Sequence, residues 1–433
     1  MRSLSRYAVC SIRQMLSKKI QKQDAIDAAL SWAIAALPLG FAVSSRLKIF
    51  PVAVLSAIGA WRLLRDPETR QIMWDARWVI FAAVLRLAYD IGNVAAHRLG
   101  WTPLDLPGQT LVFLAISAVF AQALDRRILA AGTGVTAAVL GLTCIYQRYV
   151  MGVDRPYGLN GGSWAAIEFA MYLLVMVLLS LLEVMRPQNS RRVRWLHGVA
   201  ASLGIYGAVL TQSRGPLLAF APVCCALLLW TGWKLGNWRR SALVLGLIVA
   251  GMLSMTLSLQ REIVVRLAEV PHEIATSSPQ QTRGAIRERL EMWALSWRAF
   301  RAHPLGGIGL DQFGAYVQQE AAQGRASTNI ARYVHPHSEY FESLVAGGLP
   351  AFLVLGLFLG VPLGFFLRRL RDADPAISFA AAGAAATVIL YGLCAFSDNV
   401  FYRAMPHSLY MLIVLGGAVH ISWRKANPLP PDC

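Results

Sequence analysis

Twelve apolar runs, each about as long as a membrane-crossing helix, constrain this chain more than any other feature. A bilayer core of about 30 Å takes roughly 20 apolar residues of helix. Runs of that kind lie near 25–45, 48–64, 76–95, 108–125, 128–149, 163–184, 194–212, 214–233, 240–259, 339–367, 377–397 and 404–422. The second is the shortest, and the tenth is long enough to tilt. Of the 433 residues, 56% are apolar and only 15% charged, against about 25% charged in a soluble domain. The expected fold is an all-α polytopic membrane protein.

A net charge of +17 would suit a nucleic-acid partner, but the charges sit in short clusters between apolar runs, the pattern of membrane topology. The expected surroundings are therefore a lipid bilayer, with no nucleic acid. The six cysteines, Cys10, Cys144, Cys224, Cys225, Cys394 and Cys433, have neither metal-ligand nor disulfide-framework spacing and read as small buried residues. The basic N-terminal stretch is too polar for a signal-peptide core, and the first apolar run is expected to be retained.

An even number of spans puts both ends on one side. The N-terminus and the connections 62–77, 126–127, 186–194, 234–240 and 368–371 are dense in Lys and Arg; the short connections of the alternate set hold one or two each. The positive-inside rule assigns the dense set to the cytoplasm. The long 260–338 segment then faces outward, which in a bacterium is the periplasm. The organisation expected is residues 1–259 with nine spans, a loop domain at 260–338, and residues 339–433 with three spans, without an internal repeat or a soluble domain large enough to bury its own core.

Within the loop, "GAIRERLEMWALSWRAFRAHP" spaces Ile286, Leu290, Trp293, Trp297 and Phe300 as one face of an amphipathic helix, with aromatics suited to a membrane surface. Arg289 and Arg301 edge that face, where arginines also serve by snorkelling to headgroups.

Walker, GxSxG and HExxH motifs are missing, and the "DAD" at Asp372–Asp374 lies in a short turn with no nucleotide-binding fold around it. What remains is a set of polar residues on the outer side. "LTQSRGPLLAF" puts Arg214 in a tight turn between two spans. A guanidinium there either snorkels or serves as a fixed anion receptor, its planar fork matching phosphate oxygens. Gly215 and Pro216 fit an abrupt helix start whose free N–H groups would help hold an anion. "RYVMGVDRPYGLNGGSW" adds Arg148 and Arg155, and "DNVFYRAMPH" adds Asp398, Arg403 and His407. Arginines converging on a greasy cavity fit a ligand with an anionic head and a long apolar tail. "RYVHPHSEYF" contributes His335 and His337. Two histidines at that spacing can pack or contact headgroups, can bind a metal with Asp311 or Glu339 as third ligand, or can supply a general base, since imidazole ordinarily titrates near pH 6.5. Arg86 and Asp90, four apart in the third span, read as a neutralised pair.

Taken together, "SRG" at Ser213–Gly215, the run from Arg289 through "HPLGGIGLDQF" to Phe313, and "PHSEYFE" at Pro336–Glu342 resemble the bacterial O-antigen ligase family, within the group that also holds O-antigen polymerases and O-oligosaccharyltransferases. The resemblance extends to the whole topology, with twelve spans and one large outer loop between the ninth and tenth. It implies a glycosyltransferase of the inner membrane with a periplasmic active site, working without metal or cofactor and inverting the anomeric carbon. The implied donor is a glycan on undecaprenyl diphosphate and the implied acceptor a sugar hydroxyl of lipid A-core. Carried over residue by residue, Arg214 and Arg289 hold the diphosphate and His337 is the base. Arg148, Arg155 and Arg403 are further candidates for the diphosphate, with His335, Ser338 and Ser213 in support. Family members often carry Asn where Ser338 stands here, and Ser338 is expected to orient the ring. Rival readings are a polymerase or a protein-directed transferase with the same donor, and a transporter of lipid-linked sugars.

Overall fold

The computed structural model describes residues 25–44, 46–159, 165–258 and 285–428. The basic N-terminal stretch, Cys10, Cys433, the Asn160–Trp164 part of the "RYVMGVDRPYGLNGGSW" segment and the beginning of the large loop lie outside the described residues. Fifteen helices and no strand are found among those described. They are α1 (Ala25–Val43), α2 (Ile49–Arg65), α3 (Pro67–Asp75), α4 (Arg77–Ala96), α5 (Thr102–Phe120), α6 (Arg126–Tyr149), α7 (Ala166–Met185) and α8 (Arg191–Leu210). There follow α9 (Arg214–Leu235), α10 (Trp238–Ser258), α11 (Ala285–Ala302), α12 (Phe313–Ala322), α13 (Glu339–Leu367), α14 (Pro375–Cys394) and α15 (Ala404–Ala426).

Every expected run is thus helical. Ten of these helices are long and apolar enough to cross a membrane, which makes this a multi-pass membrane protein. The 17-residue α2 and α10 stand outside those ten. The starts are written locally. Asp66, Asp125, Ser190 and Asp374 each accept a first-turn N–H, and proline follows Asp66 and Asp374 at the first helical position. Gly236 closes α9 in the left-handed conformation.

Helix α7 is apolar on every side, and its span is 83% buried. It is the central post, packed by α6, α8, α9, α14 and α15. Such an all-round apolar helix in a bundle is one that lipid barely touches.

Outside the bundle, α11, α12 and the turn Thr328–Ile330 form a lobe. Its core joins Met292, Leu295, Ala299, Phe313, Val317 and Ile330 to Val345 of α13. The lobe therefore has a small core of its own, completed by the bundle. The inward stripe of α11 runs through Glu288, Met292, Leu295, Ser296 and Ala299, while Leu290 and Trp297, on the face expected to suit a membrane surface, are exposed. The physical reason is partnering. Glu288 can be buried because Arg332 and the Tyr333 hydroxyl bond to it, so an acidic residue occupies a core position. Leu290 and Trp297 are left outward, where a membrane surface suits them.

The lobe is fastened at a break in α13. Gly348 has φ +67° and ψ −156°, which interrupts the helix. The carbonyls around the break are satisfied by the "HPLGGIG" run and by α4. Ile308 N donates to Val345 O at 2.8 Å, and Gly309 N to Ala346 O at 3.0 Å. Asn93 Nδ2 donates to the same Ala346 oxygen at 2.9 Å, and the Tyr89 hydroxyl to Gly347 O at 2.7 Å. In return, Leu349 N donates to Pro304 O at 2.8 Å and Leu310 N to Asn93 Oδ1 at 2.8 Å. Backbone groups at membrane depth need such partners. A Cβ at Gly307, where φ is +65°, would lie 2.4 Å from the Ala346 carbonyl carbon, so this docking requires glycine.

Candidate functional site

All four non-glycine residues of positive φ among those described lie at the lobe end of the bundle: Arg98, Gln212, Asp311 and His337, with φ of 54°, 55°, 58° and 50°. Three of them fall in or beside the sequence motifs. Left-handed backbone at a side-chain-bearing residue is uncommon and persists where the surroundings enforce it. At His337 the surroundings are explicit. Trp293 Nε1 of α11 donates to Pro336 O at 3.0 Å, and Glu339 N donates to Ala395 O at 2.9 Å. Lobe and bundle together hold the residue between them.

The His337 ring meets Asp398 on the segment between α14 and α15, with Nδ1 3.0 Å from Oδ1. Asp398 Oδ1 also accepts from Asn399 N at 2.9 Å, so the carboxylate is fixed. The contact assigns the proton on Nδ1 and leaves Nε2 as the acceptor. Tyr333 and His335 pack edge-on against the ring at centroid distances of 5.3 and 4.5 Å. Burial of the Asp398 carboxyl would raise its pKa, but the hydrogen bond from His337 and the charges of His337, His335 and Arg289 bring it below the usual carboxylate value. Burial, reinforced by His337, pushes His335 down to about 4. His335 is therefore neutral at pH 7; it packs on Tyr402, and its Nδ1 is buried without a partner.

The expected arginines divide into two groups. Arg214 opens α9 and is exposed, and Arg289 is half-buried on α11; neither has a hydrogen-bond or ion-pair partner among the described residues. Both lie near the segment that carries Asp398. A Cβ on Gly215 would lie 2.3 Å from Ser397 Oγ, so the start of α9 abuts the segment carrying Asp398. Arg289 is close enough for its charge to act on Asp398.

The other arginines are engaged by protein groups. Arg155 Nε donates to Thr211 O at 2.9 Å and Nη2 to Ser213 Oγ at 3.3 Å, while that hydroxyl donates to Ala166 O at 3.0 Å. These bonds brace the turn that presents Arg214. Arg403 Nε pairs with Glu168 of α7 at 2.8 Å, and Arg148 with Asp154 at 3.0 Å. Arg86 bonds Asp90 at 3.4 Å and also Glu339 at 3.2 Å, so it ties α4 to α13 and is more than a pair within one helix.

Two expectations about the histidines need correction. Ser338 does not touch the His337 ring: its hydroxyl donates to Ala395 O at 3.2 Å, and the ring is held by Asp398 instead. The donor atoms that lie within 4.8 Å of one another belong to His335, His337 and Asp398, with neither Asp311 nor Glu339 as the third member. Glu339 is occupied by Arg86 and by Phe401 N. These three groups are the ones that could hold a metal, although the positive charges of Arg289 and Arg403 act on the same cluster and oppose a cation there. Sequence reasoning noted Asp398 but gave it no task, because it lies 61 residues from His337 and nothing local links the two.

The arrangement is chemically legible. A histidine backed by a carboxylate lies in the same region as two guanidiniums that have no partner among the described residues. Comparison with known proteins adds a family likeness. A family model described as O-antigen ligase matches residues 199–356, from α8 through the lobe to the middle of α13. That stretch contains Arg214, Arg289 and His337. An uncharacterised protein of Haemophilus influenzae is 20% identical over 325 residues, covering 73% of this chain and 79% of that protein. Over residues 199–356, the chain is thus similar to the O-antigen ligase family.

Proposed function

We propose that the chain is an O-antigen ligase, a metal-independent inverting glycosyltransferase. It moves a glycan from undecaprenyl diphosphate to a sugar hydroxyl of lipid A-core. The observation that carries this reading is a carboxylate-backed histidine at the bundle–lobe junction, with two arginines nearby that have no partner among the described residues. The acceptor hydroxyl gives its proton to His337 Nε2 as its oxygen attacks the anomeric carbon. Asp398 holds the ring in the required tautomer and offsets the imidazolium charge. The bond from that carbon to the diphosphate oxygen breaks, and the lipid diphosphate leaves with the electron pair. Arg214 and Arg289 stabilise the charge that grows on it, at a place already organised to receive it. Arg155 and Ser213 position Arg214. Arg403 and Arg148 sit in the surrounding field, each already sharing its charge with a carboxylate.

The same reading puts the protein in the inner membrane, with this site towards the periplasm and both termini in the cytoplasm. The asymmetry of Lys and Arg between connections supports that orientation. The test offers the purified protein a labelled undecaprenyl-diphosphate glycan, with and without lipid A-core, in EDTA. Label moving to the core supports the proposal. Longer glycan remaining on undecaprenyl would replace it with a polymerase. Loss of all transfer on chelation would overturn the metal-free step.

A further inference from the structure

At the end of the bundle away from the lobe, a groove of ≈ 700 Å³ runs along α8, floored by α7 and walled by α10. Its length is apolar, through Leu181, Val199, Ile205, Val244, Leu247 and Ile248. From Arg191 to Tyr206, α8 rises about 22 Å, more than one leaflet of a core of about 30 Å. The mouth is different. Arg191, Arg194 and Arg240 stand around it with Trp195, and no acidic residue is among the described residues that line the groove.

Among the described residues, these cations have no counter-charge. Arg191 has no hydrogen-bond or ion-pair partner among the described residues. Arg194 donates to Pro187 O at 2.7 Å, and Arg240 donates to Val184 O, both backbone carbonyls. Arg194 Nε is buried with no partner at all, a condition that calls for one. Arg194 and Arg240 are also within electrostatic reach of each other. In the neighbouring groove on the other side of α8, by contrast, Arg126 is bonded to Glu183.

We propose that this groove binds an anionic glycerophospholipid of the surrounding membrane, its phosphate among Arg191, Arg194 and Arg240 and one acyl chain along α8. Guanidiniums suit phosphate oxygens, and Trp195 marks the depth at which headgroups lie. The lipid ties α10, the helix that precedes the large loop, to α8. It is a site separate from that of His337 and does not depend on the glycosyl-transfer reading.

Native mass spectrometry of the full-length protein, with phosphatidylglycerol or phosphatidylcholine added at equal concentration, tests it. The wild type should retain phosphatidylglycerol about tenfold better, the ratio that one charge-assisted hydrogen bond supplies. The triple variant Arg191→Gln, Arg194→Gln, Arg240→Gln should lose that preference while eluting as the same species. Ile248→Trp, which fills the groove and leaves the arginines alone, should weaken retention of both lipids. Equal retention of the two lipids by the wild type, or competition by inorganic phosphate alone as effective as by the lipid, would overturn the proposal. So would an undiminished preference in the triple variant.

Discussion

The two ends of the bundle are both rich in arginine, yet they use it differently. Away from the lobe, Arg126 and Arg186 share Glu183 at 2.8 and 3.0 Å, Asn189 completes that cluster, and Arg424 bonds Asp374 at 2.7 Å. Those charges are spent on holding helix ends together. At the lobe end the carboxylates go elsewhere: Asp398 to His337, Glu168 to Arg403, and Glu339 to Arg86. Arg214 and Arg289 have no partner among the described residues. An arginine held in place but not neutralised is ready to receive an anion, whereas one locked to a carboxylate is structural. The Arg191, Arg194 and Arg240 trio shows that the far end has an exception, and that is why it reads as a second anion site.

Substitutions should break this contrast in a graded way. His337→Ala removes the base and should lower transfer by roughly 10²–10⁴-fold, measured as labelled glycan reaching lipid A-core, with the melting temperature little changed. Arg214→Ala or Arg289→Ala should each cost about 10²–10³-fold in kcat, the usual worth of one preorganised donor to a developing oxyanion. Lysine at either position should recover only part of it, since an ammonium lacks the fork. Asp398→Asn keeps the shape but loses the charge behind the ring. A fall in kcat of about 10²-fold with an unchanged KM for the donor is expected, the cost of a misplaced reacting group.

At the other end the readout inverts. Glu183→Ala strands two arginines and should cost about 3–5 kcal/mol of stability, seen in thermal unfolding, while activity per folded molecule holds. Stability at the lobe end should also depend on pH. His335 is held at about 4 when folded, below its ordinary 6.5, so the unfolded chain binds more protons between those values and stability falls as pH drops from 6.5 towards 4. Asp398, lowered when folded, acts in the same direction at lower pH still. Melting curves of wild type and His335→Asn across pH 4.5–7 should diverge, the variant having the flatter profile.

The helices were legible because membrane burial writes itself as apolar length, and their starts because Asp, Ser and Pro act over three or four residues. The arginines and His337 were legible as residue types in local motifs. What escaped was set by contacts across the chain. The task of "HPLGGIG" is to cap carbonyls freed at Gly348, some forty residues later, and a sequence does not announce where a helix will break. Asp398 was passed over for Ser338 because nearness in sequence stood in for nearness in space. The inward stripe of α11 was not legible because Glu288 enters the core with its own partners, an arrangement that hydrophobic periodicity scores as surface.

The most direct measurement separates holding the donor from doing the chemistry. Binding of undecaprenyl diphosphate to purified His337→Ala protein should match the wild type, and adding Arg214→Ala and Arg289→Ala to that variant should abolish it. If His337→Ala alone weakened binding as much as the arginine substitutions, or if removing both arginines left binding intact, the division between a proton-taking histidine and anion-holding arginines would be wrong.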